Sequence, residues 1–151
     1  MAAGDLAKVE FSIEMMPSHM QIKLEDKVSS YTPQPGEYWW YKRMECGVGN
    51  TQLIPIDDAL FEIADSGVHN IYVEPLDMVK FLYIENMGLG LVYVNFADET
   101  GSLVAQADSI KIPSTQSWFG VINSTAHDKI RIHSVVDDNE IVACAVIKKF
   151  T

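Results

Sequence analysis

Positive charge is scarce in this chain. Eleven Lys and Arg stand against 21 Asp and Glu in 151 residues, a formal net charge of −10. Sequence-independent binding to DNA or RNA works by Lys and Arg displacing counterions from phosphates, so it is disfavoured here. Attraction to anionic membranes is disfavoured by the same sign. No nucleic-acid or membrane partner is expected. Long hydrophobic runs are lacking too: the longest, at 81–84 and 141–147, fall far short of the ~20 residues that span a bilayer as a helix. The first residues have neither the basic start nor the apolar core of a secretory signal, and the chain reads as soluble.

Chemistry-bearing side chains are equally thin. The two cysteines, Cys46 and Cys144, lie in apolar strand patterns without the paired spacing of a zinc or redox motif, and read as buried free thiols. His19, His69, His127 and His133 form no His-x-His or His-Glu-x-x-His spacing, so neither a metal nor a cofactor is expected. His133 shares a register with Lys129, Arg131 and Val135, opposite Ile130 and Ile132, and is expected to face solvent or a neighbouring subunit. Gly47-Val48-Gly49 has no helix or lysine after it to cradle a phosphate. Asp98-Glu99-Thr100-Gly101 and Asp137-Asp138-Asn139-Glu140 hold enough hard oxygen ligands for calcium. Both stand where hairpin turns are expected, and Asp and Asn bond their own backbone in turns. With no catalytic signature, the chain is read as a non-enzyme.

What is present is a two-residue rhythm. Val9, Phe11, Ile13 and Met15 alternate with polar residues, as do Met20, Ile22 and Leu24 beyond Pro17-Ser18-His19, which predicts a β-hairpin. Two prolines and a glycine in 33–36 predict a loop. Strands are expected over 38–46, 51–56 (an edge strand, given Pro55), 69–74, 79–86, 91–97, 109–112, 116–122, 129–136 and 140–149. A single short helix is expected near 57–65, opened by Asp57 and Asp58 and closed by Ser66-Gly67. At 48% hydrophobic and 21% charged, the chain fits one domain, an all-β antiparallel sandwich or jelly roll. Residues 1–8 are a possible flexible or docking arm.

The most unusual local feature is Tyr38-Trp39-Trp40-Tyr41. Consecutive strand residues point to opposite faces, so large aromatics emerge on both sides and one set needs a cover. That cover is either another part of the chain or a partner, since Trp and Tyr anchor interfaces. These four residues are the candidate partner interface. A carbohydrate platform using Trp39, Trp40 and Trp118 is a further reading. The stretches 80–84 and 141–147 are apolar on both faces, which suggests either oligomer contacts or cover by the N-terminal hairpin.

From Lys80 onward the order of elements resembles small β-sandwich virion proteins of tailed bacteriophages. Lys80-Phe-Leu-Tyr-Ile-Glu-Asn86, a turn at Gly88, Val92-Tyr-Val-Asn-Phe96, Ser109-Ile-Lys-Ile-Pro113, a strand at Gly120, Lys129-Ile-Arg-Ile132 and Ala143-Cys-Ala-Val-Ile147 carry the likeness, which covers about half the chain. It implies a capsid decoration or cement protein: a homotrimer bound to the major capsid protein on the outside of the head, made in the host cytoplasm. A neck, tail or fibre-base position in the virion is the nearest alternative.

Overall fold

A computed structural model describes residues 7–11, 14–15, 22–23, 27–31, 34–62, 68–96, 109–124 and 130–150. The protein is all-β. Its strands are β1 Ala7–Phe11, β2 Glu14–Met15, β3 Ile22–Lys23, β4 Lys27–Tyr31, β5 Glu37–Cys46, β6 Thr51–Gln52, β7 Ala59–Glu62, β8 Val68–Tyr72, β9 Met78–Asn86, β10 Val92–Asn95, β11 Ile110–Ile112, β12 Ser117–Ser124, β13 Arg131–Ser134 and β14 Asn139–Lys148. A six-stranded sheet runs β12-β9-β14-β5-β7-β8 and a four-stranded sheet runs β11-β10-β13-β6. Neighbours in both sheets are antiparallel.

The expected N-terminal hairpin forms. Its β1–β4 and β2–β3 pairings run from Ala7 opposite Tyr31 to Met15 opposite Ile22. Of the expected arm, residues 1–6 lie outside the described residues and 7–8 open β1.

One hydrophobic core joins the two sheets. Trp40, Leu82, Ile84, Ile141, Ala143, Ala145 and Ile147 of the larger sheet pack with Val92, Val94, Ile112 and Ile132 of the smaller. Side-chain size matches position, since Trp40 lies across from Ala145, whose methyl leaves room for the indole. Gly120 works the same way on β12: a Cβ there would meet the Trp118 ring at 2.8 Å, so the bare backbone lets that indole fold back over the strand.

One expectation is overturned. Where a helix was expected near 57–65, Ala59–Glu62 is strand β7, paired with β5 and β8; residues 63–65 lie outside the described residues. Asp58 does not cap a helix but accepts hydrogen bonds from the Trp40 indole N–H (3.1 Å) and the Lys42 ammonium (2.9 Å). Alternation along Val79, Phe81 and Tyr83 is also broken. Against β14 the extra residue is Lys80 of β9, whereas against β12 it lies on β12 between Val121 and Ser124. The bulge at Lys80 turns Val79 into the main core while Phe81 faces outward.

Candidate interaction surface

Alternation on β5 sorts the aromatic run. Tyr38 and Trp40 point toward the main core, where Trp40 is only 1% exposed and Tyr38 is half-buried. Trp39 and Tyr41 point to the other face of the six-stranded sheet, where register extends them into two cross-strand rows. One row is Phe61, Trp39, Val146, Phe81 and Val121; the next is Tyr41, Cys144, Tyr83 and Phe119. The three flanking β9, β12 and β14 contributions were legible only as alternation within each strand, because cross-strand register is not written in any one of them.

These rows form a second apolar cluster with its own interior. Val146 and Phe81 are buried beneath Trp39, Tyr83 and Phe119, which pack against them. The flanks stay open, with Tyr41 57% and Val121 61% exposed. Large apolar side chains held rigid on a sheet and open at the edges are the kind of surface that binds another protein. A polar border follows along the next row, where Arg43 pairs with Glu140. That hydrogen bond and charge raise the Arg43 pKa and lower that of Glu140. Tyr83 donates its hydroxyl to Glu85 (3.2 Å), and burial is the main reason its pKa is raised.

No reactive group is poised within this surface. Burial pushes the Cys144 thiol up to about 11. Cys46, in the main core, donates to the Asn139 carbonyl at 3.4 Å, and burial likewise raises it to about 11. Both cysteines are free, as expected.

His133 does not face solvent. It shares the outer face of the four-stranded sheet with Arg131, as its register indicates, but it is 4% exposed and stacks on Tyr93 with ring centroids 4.8 Å apart. Burial lowers its pKa from 6.5. Its sequence neighbours are blind to that stack, which comes from the pairing of β10 with β13.

The Asp137–Glu140 stretch is not the expected hairpin turn but a turn that carries the chain from β13 in the smaller sheet to β14 in the larger, and its side chains diverge. Asp137 accepts from the Val48 N–H, Asn139 turns inward and Glu140 turns to Arg43. Among the described residues no three His, Cys, Asp or Glu side chains group as a metal site would require, and no helix is long and apolar enough to cross a membrane. His19, His127 and the turn 98–101 lie outside the described residues.

The other end of β9 carries a polar network missed from sequence. The Asn86 side-chain amide donates to the carbonyls of Gly90 (2.7 Å) and Ile112 (2.9 Å), while its oxygen accepts from the Gly88 N–H (3.1 Å) and the Asn139 amide (2.9 Å). Asn139 in turn accepts from the Gly90 N–H (2.7 Å). A Cβ at Gly88 or Gly90 would overlap the Asn139 side chain or Val136, so glycine is required for this close approach. The only hint in the sequence is asparagine at a strand end beside Gly88 and Gly90.

No protein-family model matches the chain, and a search of curated proteins finds no significant match.

Proposed function

We propose that this protein is a structural component of a tailed-phage virion, a decoration or cement protein on the outside of the head, and that its fold is a jelly roll. Strand order supports the fold: β5 pairs with β14, β6 with β13, β9 with β12 and β10 with β11. These nested pairs give β12-β9-β14-β5 in one sheet and β11-β10-β13-β6 in the other, two Greek keys, with the β7–β8 hairpin added beside β5. Jelly rolls serve in viral capsids and in lectins alike, so the function rests on the surface.

The aromatic strip around Trp39 and Tyr41 on the outer face of the six-stranded sheet carries this reading. Each copy lays that strip on the major capsid protein, and a homotrimer spans the junction between shell subunits. Binding stabilises the assembled state by mass action, and several weak contacts on one rigid body add up to a strong one. The acidic composition suits a molecule coating the outside of a DNA-filled particle, where like charge keeps particles apart. A carbohydrate platform is less well supported: of the three tryptophans, Trp40 and Trp118 pack on the main core and only Trp39 faces outward.

Quantitative mass spectrometry of purified virions tests the proposal. About one copy per major capsid subunit is expected. A handful of copies per particle reassigns the protein to the neck, tail or fibre base, and its absence from virions overturns the reading.

A further inference from the structure

Sheet edges in natural proteins are guarded. A terminal strand presents a row of backbone N–H and C=O groups on its outer side, and short length, charge or proline keeps other strands away from it. The smaller sheet follows that pattern: it ends on β6, two residues long, and on β11, three residues long with Lys111 exposed. β12, which ends the larger sheet, does not. It runs eight residues, Ser117-Trp-Phe-Gly-Val-Ile-Asn-Ser124, without a charged side chain or a proline, in a molecule of net charge −10. Ser117 and Val121 are exposed on it, and its bulge lies beyond Val121.

Hydrogen bonding sets which backbone groups face outward. The Asn86 N–H donates to the Gln116 carbonyl (2.9 Å), and 117–121 continue the same antiparallel register against β9. Alternate residues of such a ladder bond to the neighbouring strand. Trp118 and Gly120 therefore turn their N–H and C=O toward β9, and Ser117, Phe119 and Val121 turn theirs away. Among the described residues no strand lies on that side.

We propose that two copies of this chain join edge to edge through β12, antiparallel about a two-fold axis at Gly120, so that their larger sheets become one. The strand fits its own copy in that register. Phe119 of each copy stands opposite Val121 of the other on the outer face, and Trp118 opposite Ile122 on the inner face. Each of these pairs sets an aromatic ring against a β-branched side chain, a favourable cross-strand combination. Gly120 meets Gly120 on the axis as a non-hydrogen-bonded pair, where Cα atoms approach to about 4.5 Å and neither residue carries a Cβ. Identical strands of like charge would repel; these carry none. The pairing also prolongs the cross-strand rows, because Val121 ends the row of Phe61, Trp39, Val146 and Phe81 and is followed by Phe119 of the other copy. Joined edges leave the outer face of both sheets uncovered, so the contact does not depend on the virion reading and keeps the aromatic strip open to the shell. A two-fold contact does not close a trimer; where trimers form, it ties one to the next.

Val121→Lys tests the contact in the full chain, because it alters an exposed position and places on the edge the charge that blocks strand pairing. Sedimentation velocity is expected to show the parent as a dimer and Val121→Lys as a monomer. Leu89→Lys, which charges an exposed residue away from β12, is expected to stay dimeric. Hydrogen exchange read by mass spectrometry supplies an independent arm. The amides of 117–121 are expected to exchange more slowly as the parent chain is concentrated and to lose that protection in Val121→Lys, while those of β14, in the middle of the sheet, stay protected in both. A parent chain that is monomeric at all concentrations overturns the proposal. So does a dimer that survives Val121→Lys, one that Leu89→Lys also disperses, or one in which the 117–121 amides exchange as fast as in the monomer.

Discussion

Adjacent tryptophans in β5 have opposite duties, and single substitutions separate them. Trp40 fills the core and satisfies its indole N–H on Asp58, so Trp40→Ala is expected to cost about 3–5 kcal/mol in urea unfolding, the range for truncating a large buried aromatic. Trp39→Ala, on the half-covered outer face, is expected to cost less than half as much while weakening attachment to capsids at least tenfold. Equal stability losses would mean the two faces are equally packed. His133 adds a pH signature. Burial holds its imidazole below the ordinary 6.5, so the unfolded chain takes up the proton first. The stability is whole above pH 6.5 and is lost as pH falls from there toward the folded-state value. Urea midpoints at pH 7.5 and 5.5 are expected to differ more for the parent than for His133→Phe, which keeps a ring against Tyr93; identical shifts would refute this assignment. The two thiols run the other way. Held up to about 11 from 9.0, they support folding fully below pH 9 and lose that support as pH rises through 11.

At the scale of elements, the turn between β9 and β10 is the part most sensitive to one side chain. Asn139→Ala leaves the Gly90 N–H and one Asn86 lone pair without partners, and about 1–3 kcal/mol of stability is expected to go with each buried group left unsatisfied. Hydrogen exchange at Gly90 should then accelerate while β5 amides stay protected; unchanged exchange would show that the network does not hold the turn. Strand positions were legible in the sequence because alternation of Val, Ile, Tyr and Phe is a local signal. Thr51–Gln52 lies at a sheet edge, as Pro55 implied. What failed was non-local. Leu60 and Phe61 look alike on a helix face, but β5 is the neighbour that draws them into a sheet, Leu60 to the core and Phe61 beside Trp39. The bulge at Lys80 belongs to the register of β9 against β14, which period-two reading along one strand does not contain. The outer-face cluster was half legible for the same reason: β5 showed Trp39 and Tyr41, and only register brought Phe81, Tyr83, Phe119 and Val146 beside them.

As a whole, the molecule is two antiparallel layers around one core, with a second apolar cluster on the outer face of the larger sheet. A sheet face that carries aromatic rings at partly exposed positions is suited to packing against another surface. Under the proposed function, the capsid meets Trp39, Tyr41 and Val121. Cryo-electron microscopy of the virion tests the proposed function most directly: density for the two-layer domain is expected over the junctions between shell subunits, with the Trp39 and Tyr41 rings buried against the major capsid protein. Density that leaves this face open to solvent while another part of the domain touches the shell would contradict it.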